Sequence, residues 1–192
     1  MAEIRTPEQA YRDFCNGEQT AFDEIMDAFR QSLIYFLYGL VHDPDIAEDL
    51  AEDAFVELLV HRGRYRFQSS LKTFLFSVAR HKAIDHIRRE KRRNNVSFDE
   101  IIEQPASSED IAAELAASIE AEKLRAAMAD LPNDYRTAIH LLYIENLSYE
   151  EIARVMNKNK KQVDNLVYRA KGALRDKLGK DSLFEERLKK DS

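Results

Sequence analysis

Cysteine is almost absent from this sequence of 192 residues, Cys15 being the only one. A single thiol forms no internal disulfide, so nothing in the cysteine count points to an oxidising compartment. Glycine (5) and proline (4) are scarce, which argues against a turn-rich all-β fold. Long apolar runs are missing. The nearest, LIYFLYGLV at Leu33–Val41, falls far short of a bilayer. The opening MAEIRTPEQA lacks the apolar centre of a signal peptide, so a cytoplasmic protein is expected. There is no HExxH, no phosphate loop and no cysteine pair. Glu57 and His61 sit one helical turn apart, with His81 and His86 nearby in sequence, but ordinary surface or core histidines explain them better than an enzyme does. No cofactor, metal or catalytic residue is expected.

What remains is a helical, charged chain: 44% hydrophobic and 33% charged residues, with a net charge of −6. The net charge conceals segregation. Asp99, Glu100, Glu103, Glu109, Asp110, Glu114, Glu120 and Glu122 form an acidic block with no Lys or Arg between Asn94 and Lys123. Cations gather on either side, at Arg80–Arg93 and Lys158–Lys180. A polyanion docks according to such local fields rather than to their sum.

The stretch Gln68–Arg93 organises the chain. It reads as a helix opening at Ser69 or Ser70, where a hydroxyl caps the first free N–H groups. Phe76, Ala79, Ala83 and Ile87 make an apolar stripe, and Phe74 falls about opposite, beside Ser77, His81, Asp85 and Arg88. Arg80, Lys82, Arg88, Arg89, Lys91, Arg92 and Arg93 oppose only Asp85 and Glu90. Such a surface offers cations to phosphates and a ring to an unstacked base; a solvated basic face with a stray Phe is the plainer alternative. Before it, Arg62–Ser69 interleaves Arg with Tyr65 and Phe67, a plausible cradle for a splayed base.

In chain order, Thr6-Pro7-Glu8-Gln9 starts a short helix that should end near Asn16-Gly17. A broad apolar face predicts a second helix over Thr20–His42. Asp43 caps a third, about Pro44–His61, with Ile46, Leu50, Ala54 and Leu58 joined by Phe55 and Leu59 as its core side. Its other side carries Glu48, Asp49, Glu52, Asp53 and Glu57, more acids than a solvated face needs, and suited to a basic partner. Val96–Ser108 lacks periodicity. A helix is expected from Ser108 to Ala129, then one over Asn133–Glu145. Ser148-Tyr149-Glu150-Glu151 is a capping box opening a short helix through Met156. The turn Asn157-Lys158-Asn159 leads to a last helix, Lys160–Leu178, with Val163, Val167, Ala170, Leu174 and Leu178 inside and Lys161, Asn165, Tyr168 and Gly172 outside. That is the helix-turn-helix plan of a DNA reader, with a plain helical bundle as the alternative.

Three stretches together, DIAEDLAEDAFVELL, FQSSLKTFLFSVARHKAIDHIRREKRR and LPNDYRTAIHLLYIENLSYEEIARVMNKNKKQVDNLVYRAKGALRDKL, resemble the extracytoplasmic-function sigma factors of bacterial RNA polymerase. The likeness runs from about Phe22 to Leu178. It implies an all-α protein of two small helical domains joined by a flexible acidic linker. Residues 1–94 would bind the polymerase β′ clamp and read and melt the promoter's minus-ten element. Residues 95–119 would be the linker, 120–180 the minus-35 reader, which also meets the β flap, and 181–192 a tail. The resemblance gives Asp49, Glu52, Asp53 and Glu57 the clamp contact. It gives Tyr65, Phe67, Ser69, Lys72, Phe74, Arg80, His81 and Arg88 the minus-ten strand. Lys160, Lys161, Asp164, Asn165, Tyr168 and Arg169 would face the minus-35 groove or its phosphates. An anti-sigma factor is a further partner that such proteins can have. The chain departs from the family where Phe74 replaces a frequent Trp, His81 a frequent Asn, and Asn157-Lys158-Asn159 a Gly-apolar-Ser turn. The rival from another class is a stand-alone helix-turn-helix repressor, which leaves Phe74 and the acidic third helix without a task. The acidic block suggests an electrostatic decoy that shields the chain's own basic helices or enters a basic polymerase channel.

Overall fold

The computed structural model describes residues 5–93 and 126–178, and all regular structure there is helical. The acidic block and the segment around Val96–Ser108 lie outside the described residues, as does most of the helix expected from Ser108; its last turn is present at residues 126–129.

Helix α1 (Pro7–Cys15) opens on the predicted capping box, Thr6 accepting from the Gln9 amide and Gln9 reaching back to the Thr6 amide. It stops at Asn16, and Gly17 turns the chain at a φ of 113°, a conformation that favours glycine. Helix α2 (Ala21–Val41) ends on His42 in the left-handed region. Asp43 accepts from the Ile46 amide and starts α3 (Pro44–Val60). Helix α4 (Leu71–Arg93) begins one residue after Ser70, whose hydroxyl accepts from the Thr73 amide at 3.2 Å.

Tyr11, Phe14, Ile25, Leu33, Leu37, Leu58, Leu71, Leu75 and Phe76 are essentially inaccessible and form the core that these four helices share. Each such large side chain contributes roughly 1.5–3 kcal/mol by leaving water. The stripe foreseen on α4 was incomplete. Phe76, Ala79 and Ala83 are buried as expected, but so are Leu71, Thr73 and Leu75, because α4 is covered on two sides. Leu59, expected inside, is 40% exposed and joins Val56 and Val60 in an outward apolar patch on α3.

In the second half, the helical turn at residues 126–129 is followed by α5 (Asn133–Ile139). The predicted helix does not continue to Glu145 as an α-helix: residues His140–Ile144 form a π turn, closed by Glu145 N–H donating to His140 O at 3.1 Å. Helix α6 (Tyr149–Met156) carries the predicted Ser148–Glu151 capping box. Asn157 takes the left-handed conformation that the tight turn requires, and α7 (Lys160–Leu178) follows with the predicted bounds. Val163, Val167, Ala170 and Leu174 are buried. The two halves touch. α4 packs on α6 and α2 on α5, and one apolar cluster runs continuously from Phe76 and Leu75 to Leu141, Ile152 and Met156.

Candidate nucleic-acid interface

The loop between α3 and α4 is shaped from below by α1. Tyr11 is buried and its hydroxyl lies 3.2 Å from Leu58 O and 3.0 Å from Arg62 O. Glu8 Oε1 accepts the Leu71 amide at 2.7 Å, capping α4 from a distant element. The guanidinium of Arg12 stacks over Phe67 and that of Arg62 over Phe14, at 4.6 and 4.1 Å from the ring centres. Sequence reasoning gave α1 no part in this site. The available signal was Tyr11, which sits on the Ala10–Phe14 core stripe while carrying a hydroxyl that burial obliges to find a partner.

Of the two loop aromatics, only one is open. Tyr65 is 4% exposed, and its hydroxyl donates to Ser69 O at 2.7 Å. Burial pushes the Tyr65 phenol up to about 12. That ring pins the loop and has little face left for a base. Phe67 is 41% exposed and held at a φ of 55°, a strained state for a bulky residue. Ser69 is half-buried.

Phe74 is half-buried, 5.3 Å from the Tyr65 ring, and so does not stand out from α4 as freely as its place opposite the apolar stripe suggested. It lines a groove of about 900 Å³ between α3 and α4. Asp49, Glu52 and Asp53 line the α3 wall; His81, Lys82 and Arg89 line the α4 wall. His81 is well exposed, its Nδ1 3.5 Å from Asp85, and Arg88 points outward 3.8 Å from the same carboxylate. The α3 acids are less free than the sequence implied: Glu48 pairs with Arg30, Glu57 with Arg64, and Asp53 with Lys82 at 3.5 Å. Asp49 and Glu52 remain exposed. His61 Nε2 is 4.0 Å from Glu57, and among the described residues no group of three or more candidate ligands could hold a metal ion.

The outer face of α7 is open. Lys160, Lys161, Asp164, Asn165, Tyr168 and Arg169 are all exposed, Tyr168 by 80%. Lys160 is paired with Glu150, which raises the Lys160 pKa and lowers that of Glu150. In the turn before α7, Lys158 is anchored by Asp134 at 3.1 Å rather than by an apolar contact.

Lys72 and Arg80 are not open. Lys72 Nζ lies 2.7 Å from Glu145 Oε2 and donates to Glu145 O at 2.9 Å. Arg80 is largely buried, 3.8 Å from Asp134, and burial depresses its pKa although Asp134 opposes the shift. Glu145 is itself buried, with His140 Nε2 at 3.2 Å and Ser32 Oγ at 3.3 Å. Burial alone would raise its pKa, but hydrogen bonds from His140 and Lys72 outweigh that and hold the carboxyl below its ordinary value. Beside it, Ser70 Oγ and Thr73 Oγ1 each lie 2.9 Å from Glu151 Oε1, and Arg154 donates to Gln68 O at 2.7 Å. None of these second-half partners was foreseen. Nothing in a helical period marks which acid meets a cation some 70 residues away.

A helical unit with a groove walled by acids on α3 and by cations on α4, followed by a helix-turn-helix with an open basic face, has the design of a transcription initiation factor. The Sigma-70 region 2 profile matches residues 25–93, and that of Sigma-70 region 4 matches residues 121–174. The RNA polymerase sigma-H factor of Pseudomonas aeruginosa is 30% identical, over 82% of this chain and 86% of that protein. The ECF RNA polymerase sigma factor SigM of Bacillus subtilis is 29% identical, over 80% of this chain and 92% of its relative. The sigma factor RpoE from Bartonella quintana, solved with the anti-sigma factor NepR, shares the fold with a TM-score of 0.65 at 24% identity, covering 84% of this chain and 98% of that one. This chain belongs to the extracytoplasmic-function sigma factors of RNA polymerase, and a stand-alone repressor, which has no use for the first unit, is not favoured. Among the described residues no helix is long and apolar enough to cross a membrane.

Proposed function

We propose that this sigma factor works through three sets of residues, two of which share the groove between α3 and α4. Phe74, lining a groove with cations on one wall and acids on the other, is the observation that carries the reading. Phe67, Phe74, His81 and Arg88 hold the separated minus-ten strand, joined by Lys72 and Arg80 once these are released, while Tyr65 and Ser69 keep the loop in shape. Asp49 and Glu52, with Asp53 and Glu57 behind them, meet the basic β′ clamp. Lys160, Lys161, Asn165, Tyr168 and Arg169 approach the minus-35 element, with Asp164 favouring a donor there, and this unit meets the β flap. Residues 1–94 and 120–180 act as the two units, 95–119 as the connection and 181–192 as a tail. The chain itself catalyses nothing and works in the cytoplasm, where polymerase performs the chemistry. An anti-sigma factor belongs to the reading because RpoE of Bartonella quintana, which shares the fold, was solved with one.

The test is reconstitution. Core polymerase with this protein should start transcripts at one promoter, found by sequencing transcript ends after induction. Phe74→Ala should reduce opening, read by permanganate reactivity of unpaired thymines, more than it reduces initial binding. Equal loss of both counts against the strand-holding role.

A further inference from the structure

Glu8 and Arg12 stand one turn apart on α1, at the spacing where an acid and a cation ordinarily pair along a helix. They do not pair here. Glu8 reaches across to α4 and accepts the Leu71 amide at 2.7 Å. Arg12 is exposed, and no carboxylate among the described residues pairs with it. The contrast with Arg5, just before the same helix, is sharp: Asp13, Glu18 and Glu24 lie 3.2, 3.1 and 3.7 Å from that guanidinium. The Arg12 guanidinium instead lies over Phe67, its carbon 4.6 Å from the ring centre. Tyr65 and Tyr11 also pack near this ring, at 4.6 and 6.2 Å between centres, so the area that Arg12 covers is area a base needs. The Sigma-70 region 2 profile begins at residue 25, so that likeness does not extend to α1.

We propose that Arg12 is a phosphate contact for the unpaired strand, gripping the nucleotide whose base comes to lie on Phe67. This deepens the strand-holding role proposed for Phe67 and rests on it. An exposed contact between a cation and a ring is weak, so a base displaces the guanidinium from Phe67 at little cost. The displaced fork carries five N–H donors and has no acid to return to. A nucleotide joins its base to its phosphate through a single sugar, which brings the phosphate to the same side chain. Arginine holds a phosphate through two parallel N–H donors, and the exchange trades a ring for a full charge. Glu8 and Tyr11 are positioning residues. Glu8 leaves Arg12 unpaired by serving Leu71, and Tyr11, through Leu58 O and Arg62 O, holds the loop that carries Phe67 against α1. Helix α1 is thereby a working part of the strand site as well as its support.

Salt dependence tests this. The holoenzyme is titrated with a promoter fragment left unpaired over the minus-ten element, the promoter being the one located from transcript ends. Arg12→Met keeps an apolar stem against Phe67 and loses the charge. The slope of log affinity against log salt should become shallower by about 0.7, the value for one phosphate of a single strand, which is a loss of about fivefold at roughly 0.1 M salt. Arg12→Lys, which keeps the charge, should keep the slope. A methylphosphonate scan of the unpaired strand should find one position where the parent loses as much and the methionine variant loses nothing further. An unchanged slope in Arg12→Met overturns the proposal. So does an altered base preference at unchanged slope, which makes Arg12 a reader of base edges instead. If the parent and Phe67→Ala both bind paired and unpaired fragments alike, the strand-holding reading itself fails, and this contact with it.

Discussion

Arg136 offers the sharpest test of how the second half is held together and joined to the first. Its Nε donates to Met128 O at 3.1 Å, and Nη2 donates to Ala129 O at 2.7 Å and Leu131 O at 3.0 Å. One guanidinium edge thus closes the carbonyl end of the helix ending at residue 129. The remaining nitrogen, Nη1, donates to Gly39 O at 3.0 Å and lies 3.1 Å from His42 Nε2, both at the end of α2. Arg136→Met keeps most of the stem and removes all five contacts. Stranding one buried acceptor costs about 1–3 kcal/mol, but some of these carbonyls can rehydrate, so a net loss of about 3–4 kcal/mol is expected. For a chain of this size that corresponds to a midpoint lower by roughly 10 °C, read from the first transition by calorimetry, since two units need not melt together. Arg136→Lys should recover less than half, because an ammonium has no planar fork to serve both helix ends. A methionine variant within about 1 kcal/mol of the parent would refute the claim that this side chain joins the halves.

The same contact sets a pH dependence. Burial, then the Arg136 charge, lowers the His42 pKa from its ordinary 6.5, so the folded chain needs His42 neutral. Stability from this group is full above the ordinary value and is lost as pH falls through the lowered one; Glu145, held below 4.5, stays ionised through that window. The urea midpoint should therefore fall between about pH 7.5 and 5.5, and His42→Asn, which tolerates the left-handed cap, should flatten the change; an equally steep slope in the variant would assign it elsewhere. Tyr11→Phe removes the hydroxyl shared by Leu58 O and Arg62 O and should cost about 1–2 kcal/mol in chemical denaturation, with faster proteolysis in the Arg62–Ser69 loop. Phe67→Gly relieves the positive φ and loses an exposed ring, so its midpoint should stay within about 2 °C of the parent while permanganate-detected opening falls severalfold.

Local chemistry was legible in the sequence. Thr6, Asp43 and Ser148 announced three helix starts, and the turn Asn157-Lys158-Asn159 announced the break between α6 and α7. The outward face of α7 followed from a simple period, because one side of that helix meets water. Reading failed where a helix has two covered sides. On α4, periodicity revealed the stripe with Phe76 but not the buried Leu71 and Leu75, and Phe74 proved half-buried. The π turn escaped notice because His140–Ile144 keeps helical composition, and only the wider hydrogen-bond step distinguishes it. Contacts between distant segments, such as Glu8 with α4 and Glu145 with Lys72, leave no mark in spacing at all.

That π turn also fixes rotational phase. Each residue advances a regular helix by about 100°, and the widened turn accommodates one residue that an α-helix would not. Deleting a single codon within His140–Ile144 would restore ordinary winding and leave Glu145 near its present phase, because the widened turn absorbs the extra residue, whereas deleting one from the regular turns of α5 would swing Glu145 by about 100° away from Lys72. Coupling between the two units is therefore stored in a residue count, where a deletion can erase it without altering any participating side chain.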